Sequence, residues 1–217
     1  MNASGLESWN RAEFFSDRAK RGMDLIIASS LLILCLPLFL LLATLIKLDS
    51  PGPVLFRQTR VGREGRLFEI IKFRTMFCRG ENTLDTILRG QRNQKLSWAK
   101  YQKLWDDPRL TRIGRILRRC SLDELPQLWN VIKGEMSLVG PRPILPEQIS
   151  IYGQTLSVYK LFRPGMTGMW QINGRNLTSF EERVDWDTYY IRNWSLWLDI
   201  RILFRTVGKV LTAEGAF

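Results

Sequence analysis

Two carboxylates stand side by side at Asp123 and Glu124, inside the run Ser121-Leu-Asp-Glu-Leu-Pro-Gln-Leu-Trp-Asn-Val, and Arg118 lies five residues upstream of the first. An acid pair beside fixed positive charge suits chemistry on a phosphate. It offers an oxygen nucleophile or hard-metal ligand, with cations for the phosphate oxygens. A bare Asp-Glu dipeptide is common on helix surfaces, so the neighbours decide. Glu124 has an ordinary structural reading, because Ser121 is placed as a helix N-cap with Glu124 at capping-box spacing. A carboxylate at a helix start is also stabilised as the anion, among backbone donors that attract phosphate. Asp123 has no comparable structural reading and is the candidate nucleophile.

Other segments could serve the same chemistry. Arg109, Arg112, Arg115 and Arg118 recur every third residue, which makes a basic stripe on a helix, with Leu110, Ile113, Ile116 and Leu117 as apolar faces. Most such stripes are solvated or meet anionic headgroups, and Arg118 is the member placed on substrate. Pro141-Arg142-Pro143 holds a guanidinium between two φ-restricted residues, a stiff loop suited to bidentate phosphate contact. The stretch from Arg163 through Gln171 to Arg175 is rich in glycine, which lets backbone approach a ligand closely. It has neither the Walker spacing nor a GxGxxG fingerprint.

These residues need a scaffold. The 217-residue chain is 45% hydrophobic, enough for one core domain and a membrane attachment. A net charge of +11 calls for anionic partners: phospholipid, phosphorylated substrate or nucleic acid. The absence of histidine excludes Ser-His-Asp and Cys-His catalysis and argues against zinc. Cys35, Cys78 and Cys120 are widely spaced, form no CxxC and fit unpaired packing residues in a reducing cytoplasm.

From Leu25 to Ile46 the chain is uncharged and apolar, about 33 Å as a helix and close to the hydrocarbon thickness of a bilayer. It begins late and no small-residue cleavage pattern follows, which argues against a signal peptide. Pro37 near its middle predicts a kink. Positive charge flanks both ends: Arg18, Lys20 and Arg21 before, Lys47, Arg57, Arg60 and Arg63 after. A spanning helix carries its excess of Lys and Arg on one side. The residues alone leave open a kinked span and a helix-break-helix that turns back within one leaflet.

Beyond this run, Pro51-Gly-Pro53 stops the helix. Val54 to Phe56 and Leu67 to Phe73 read as a hairpin around a Gly62–Gly65 turn. Its second strand ends in Lys72-Phe-Arg74-Thr-Met, an ordinary basic edge strand on residue type alone. The segment 81–107 is polar and helical in tone; Trp98, Tyr101, Leu104 and Trp105 suit either a membrane interface or burial. The tail places Trp194, Trp197 and Phe204 with Arg192, Arg201 and Arg205 on an amphipathic helix, again for an interface or for a core.

Taken in order, these motifs resemble the bacterial sugar transferase family of small monotopic phosphoglycosyl transferases, from about Lys20 almost to the C-terminus. Lys20, Arg21, Asp24 and Pro37 match the family's re-entrant pattern, which favours re-entrance over a span. One departure is Leu36, where the family carries serine before the proline. The resemblance implies an α-rich α/β fold with a small sheet or hairpin. It would be a monotopic membrane protein with a polar leader at 1–19, a re-entrant helix at 20–48 and a cytosolic catalytic domain at 49–217, seated by interfacial amphipathic helices. The short leader suggests a stand-alone catalytic core.

It further implies transfer of a sugar 1-phosphate from a UDP-sugar to undecaprenyl phosphate, with release of UMP, as the first step of a bacterial surface glycan. The implied course is ping-pong through a phosphosugar on Asp123, assisted by Glu124, with Mg²⁺ held near Asp123. Arg118 and Arg142 would bind the transferring phosphate, and Lys72, Arg74, Arg163, Gln171 and Arg175 would line the site. The setting would be the cytoplasmic face of the inner membrane, among anionic phospholipids, with no nucleic acid bound and room for a homodimer. The sugar leans towards glucose or galactose. Two rivals remain: direct transfer in which Asp123 only binds metal, and a membrane-anchored basic adaptor without catalysis.

Overall fold

The apolar run folds as two helices. α1 (Arg11–Leu34) and α2 (Leu36–Asp49) meet at Cys35 with a bend of 59°. Cys35 N still bonds Leu31 O and Phe39 N bonds Cys35 O, so the break is confined to the turn around Pro37. There, in the first turn of α2, a missing N–H is tolerated. The computed structural model describes residues 11–78, 104, 107–174 and 179–212, those at 11–16 and 211 by backbone alone. Among the described residues no single helix is long and apolar enough to cross a membrane, while the bent pair together meets that test. Ile33, Leu34, Leu36, Leu40, Leu41 and Leu48 are left exposed along it.

The charged start of α1 is bound to the body. Lys20 Nζ donates to Asp199 at 2.6 Å, Arg21 donates to the carbonyls of Val131 and Ile132, and Asp24 accepts from the Leu138 N–H. Ala28 then enters the main core with Ile70, Leu128, Val131, Leu138, Tyr190 and Ile202.

β1 (Leu55–Val61) and β2 (Leu67–Phe73) form the antiparallel hairpin, Leu55 opposite Phe73 and Val61 opposite Leu67. β1 runs five residues past the expected end at Phe56. Its Arg57-Gln-Thr-Arg60 stretch gives no apolar alternation, because this edge strand is buried only at Val61. Leu55 and Phe56 remain partly exposed. α3 (Arg112–Arg119) starts at Thr111, whose side chain accepts from Gly114 N. Gly114 lies against Thr75, and a Cβ there would sit 2.0 Å from the Thr75 carbonyl oxygen, so α3 and the end of β2 approach as only glycine allows.

α4 (Gln127–Lys133) leads into β3 (Ser137–Val139), which pairs in parallel with β4 (Gly165–Thr167). Between these strands lie two short helices, α5 (Ile149–Tyr152) and α6 (Leu156–Tyr159). α7 (Met169–Asn173), α8 (Phe180–Arg192) and α9 (Leu196–Leu211) complete the described chain. The α-rich fold with two small sheets agrees with the expected class. The expected amphipathic tail helix is shorter than read: Arg192 ends α8 and Trp194 lies in the connection before α9, donating to Asp199, while Trp197 and Phe204 on α9 are exposed. Leu104 is half-buried, whereas Trp98, Tyr101 and Trp105 lie outside the described residues. All three cysteines are unpaired.

Candidate active site

Asp123 and Glu124 occupy a single 3₁₀ turn, Leu122–Glu124, between α3 and α4. The expected capping box is not formed: Ser121 takes a left-handed conformation with φ 56° and its side chain makes no capping bond. Glu124 turns instead towards the hairpin, where Lys72 Nζ donates to Oε1 at 2.6 Å. A 3₁₀ turn between two helices leaves no run of orphan N–H groups for a box to satisfy, and an ammonium from β2 is the stronger partner.

Asp123 is 8% exposed, and burial pushes its carboxyl up to about 6. Lys72 and Arg118 pull the other way and Glu124 adds to the rise. Arg118 is held by a bond from Nε to Thr75 Oγ1 at 3.1 Å. Burial lowers its pKa, while Asp123 and Asp107 oppose that shift. The turn thus presents one buried, readily protonated carboxyl and one paired carboxylate between an ammonium and a guanidinium.

A cleft beside the turn is lined by Lys72, Glu124 and Arg142, together with Arg60 and Gln127. The Pro-Arg-Pro loop is fixed from below. Arg142 N donates to the buried Asp187 carboxylate, Tyr152 Oη donates to the same group at 2.8 Å, and Tyr159 Oη donates to Arg142 O. Burial raises Asp187 to about 7 against these bonds. The Arg142 guanidinium lies over Trp170 at 4.6 Å, and Arg183 is 4.9 Å from the same ring.

Of the residues singled out in the sequence, the structure brings Asp123, Glu124, Lys72 and Arg118 together, and Lys72 and Glu124 share the cleft with Arg142, whose lining does not include Asp123 or Arg118. Others it places apart. Arg74 is buried against the end of α2, donating to the carbonyls of Ile46, Ser50 and Pro51, so it caps that helix rather than facing the cleft. Arg163 lies under α1, donating to Gly134 O and pairing with Asp17 at 3.3 Å. Gln171, on α7, donates to Met166 O on β4, and it is Met166, not Gln171, that lines the cleft. Lys20, Arg21 and Asp24 serve the seam of α1, and Pro37 the bend. Arg175 lies outside the described residues. Arg109 precedes α3 and chelates Asp107 with Nε and Nη2, leaving the helical stripe to Arg112, Arg115 and Arg118.

Arg60, Gln127, Asp187 and Trp170 were missed in the sequence. Gln127 sits within the motif run itself, and Arg60 lies in the hairpin among charges read as membrane flanks. Among the described residues no group of three or more acidic, cysteine or histidine side chains gathers for a metal. Mg²⁺ does not require one: it takes one or two carboxylates and completes its shell with water and substrate phosphates. The hard oxygens of Asp123, with Glu124 adjacent, fit such an ion.

Comparison with known proteins shows what the chain is similar to. A family model described as bacterial sugar transferase matches residues 15–213. The chain is 46% identical over 208 residues to a UDP-galactose-lipid carrier transferase of Erwinia amylovora, covering 96% of this chain and 43% of that protein. It is 44% identical over 199 residues to the exopolysaccharide production protein ExoY of Rhizobium meliloti, covering 92% and 88%. It is 41% identical over 206 residues to a UDP-glucose:undecaprenyl-phosphate glucose-1-phosphate transferase of Escherichia coli, covering 91% and 41%. The chain therefore spans less than half the length of the Erwinia and Escherichia relatives.

Proposed function

The chain belongs to the bacterial sugar transferase family, and on that premise we propose that it transfers a sugar 1-phosphate from a UDP-sugar to undecaprenyl phosphate, releasing UMP. The observation that carries the proposal is the buried Asp123 carboxyl, held beside Lys72 and Arg118 on the turn that opens to the Arg142 cleft. Relatives 43% and 41% identical bear the names undecaprenyl-phosphate galactose phosphotransferase and UDP-glucose:undecaprenyl-phosphate glucose-1-phosphate transferase. A hexose is the sugar we favour.

The reaction proceeds in two displacements. An Asp123 Oδ attacks the β-phosphorus of the UDP-sugar; the bond from that phosphorus to the bridging oxygen breaks, and its electron pair leaves with UMP. The sugar phosphate is now an acyl phosphate on Asp123. A phosphate oxygen of the polyprenyl acceptor then attacks the same phosphorus, the bond to Asp123 breaks, and the carboxylate is restored. Arg118 and Arg142 hold the phosphoryl oxygens as charge develops. Lys72 keeps Glu124 in place and favours the ionised form of Asp123. Glu124 orients the incoming lipid phosphate. Asp123, with Glu124 beside it, would hold Mg²⁺, which when bound would supply positive charge against that of the departing nucleotide.

The lipid acceptor requires a membrane. The exposed apolar face of the bent pair, with Trp197, Phe204 and Val207 on α9, supplies a surface that enters one leaflet at the cytoplasmic face of the inner membrane.

The test is UMP release by the purified chain with Mg²⁺, undecaprenyl phosphate and UDP-glucose or UDP-galactose. Lipid-dependent release that disappears in Asp123→Asn, with a phosphosugar trapped on Asp123 in the wild type, supports the two-step reading. Release that survives Asp123→Asn removes the nucleophile assignment.

A further inference from the structure

Arg60 and Gln127 have no part in the mechanism above, yet both carry donors that the protein leaves unused at the cleft. Arg60 projects from β1, where Nη1 donates to Pro143 O at 3.2 Å and Nη2 to Gln58 Oε1 at 2.6 Å. Both acceptors are neutral. Its Nε is buried and has no partner, although a guanidinium offers five donors. Gln127 is only 2% exposed and lines the same cleft, and its Nε2 is likewise buried without a partner. A buried donor left unmade is costly, and a native fold keeps two of them in one place when a ligand completes them.

The charge in the cleft is also incomplete. Arg60, Lys72 and Arg142 face a single lining carboxylate, Glu124, which already accepts from Lys72. Burial and the neighbouring Arg142 push Arg60 down to about 10, with Tyr159, Glu124 and Glu147 opposing the shift. Two guanidiniums repelling one another in a half-buried cleft call for an anion between them.

Their positions are fixed before any ligand arrives. Tyr159 Oη shares its one proton between Val61 O, one residue from Arg60, at 3.0 Å and Arg142 O at 3.1 Å. Val61 N bonds Ile144 O, tying β1 to the loop that carries Arg142. Arg60 and Arg142 therefore stand on one hydrogen-bonded frame, an arrangement that spends little entropy on closing around an anion.

We propose that Arg60 and Gln127 form a phosphate subsite in this cleft, taking oxygens of a substrate phosphate other than the one attacked by Asp123. The inference builds on the phosphosugar-transfer reading. Its ligand is the α-phosphate of the nucleotide, which departs as the ester phosphate of UMP, or the phosphate ester dianion of the lipid acceptor. Arg60 meets the oxygens with Nε and the remaining hydrogens of its terminal nitrogens, and Gln127 adds one amide donor.

Direct binding separates the sources. UDP and undecaprenyl phosphate, each offered alone to the full chain in detergent, undergo no turnover. Arg60→Met weakens binding of at least one of them by about tenfold to a hundredfold, as expected for a charged hydrogen bond lost. Gln127→Met, close in volume, weakens the same probe about tenfold or less. Loss confined to UDP assigns the subsite to the nucleotide, loss confined to undecaprenyl phosphate assigns it to the acceptor, and loss of both makes it shared. Unchanged binding of both probes in a folded Arg60→Met overturns the subsite. Should that variant fail to fold, unchanged binding in Gln127→Met does so. UMP release by the wild type keeps the two readings distinct. Arg60-dependent UDP binding without release would retain the subsite and remove the transfer, whereas release with Arg60-indifferent binding removes the subsite alone.

Discussion

Two regions of this molecule bring cations and aspartate together out of water, and they leave the charge in opposite conditions. At the seam between α1 and the body, Lys20 and Asp199 pair at 2.6 Å with side chains 9% and 0% exposed. Asp199 also accepts from Tyr190 and Trp194, Arg21 takes two helix-end carbonyls, and Asp24 takes a strand N–H. The cleft keeps comparable groups open. Asp123 is buried and its carboxyl is driven up to about 6, Arg60 and Arg142 press on one another, and Gln127 keeps an unused donor. Closed charge fixes the pose of a helix. Open charge is held ready for a substrate that brings the missing sign.

The sharpest way to break that contrast is to neutralise one carboxylate in each region. Asp123→Asn should lower lipid-dependent UMP release by on the order of a thousandfold or more, the scale of losing a nucleophile. Its melting temperature should hold or rise, because the substitution removes a buried charge. A variant that unfolded would put Asp123 on the closed side of the comparison.

Lys20→Met should do the reverse. It leaves Asp199 buried without its cation, so the chain should lose about 3–5 kcal/mol of stability in denaturant titration. UMP release per folded molecule should stay near wild type. Adding Asp199→Leu to Lys20→Met should recover much of the loss, since an apolar pair often replaces a buried ion pair without penalty. Failure of the double variant to recover would mean that Asp199 matters more to Tyr190 and Trp194 than to Lys20.

Lys72 and Arg74 make the same contrast over two residues of one motif. Lys72→Met should reduce turnover about tenfold to a hundredfold with little change in stability, because it pairs with Glu124 at the cleft. Arg74→Met should cost about 1–3 kcal/mol and leave turnover nearly intact, because its donors close the end of α2. Turnover and chemical melts of the two variants, measured side by side, check the assignment.

That neighbouring pair also marks where sequence stops being legible. The acid pair, the Arg118 approach, the Pro-Arg-Pro loop and the hairpin could be read because each lies within one short segment. Lys72 and Arg74 look alike in sequence; only the packing of α2 against β2 decides which one turns to Glu124. The capping box at Ser121 was a sound reading of spacing, and it gave way to a lysine 52 residues upstream that the spacing cannot weigh. Arg60, Gln127 and Asp187 went unread for the same reason. The cleft is assembled from β1, β2, α4, the loop after β3 and β4, with Asp187 of α8 buried behind that loop, and no local pattern announces that these converge. Pro37 did announce the bend, because proline acts on its own backbone.

The pH dependence of turnover joins the open region to its mechanism with the smallest expected effect. Asp123 attacks only as the carboxylate. Burial raises its pKa to about 6, so the rate should be level near pH 7 to 8 and fall towards tenfold per unit below about 6. The same shift bears on stability with a definite sign. The folded chain holds this proton more tightly than the unfolded one, so this contribution to stability is lost as pH rises from 3.8 to about 6. Asp123→Asn should lack that slope, so it should appear in the difference between the wild-type and variant stability profiles. Lys72 gives the decisive arm, since it favours the ionised carboxylate and lowers the pKa. In Lys72→Met the acidic limb of the rate profile should move to higher pH. A limb that stays in place belongs to a group beyond the reach of Lys72, which would remove Asp123 as the titrating group.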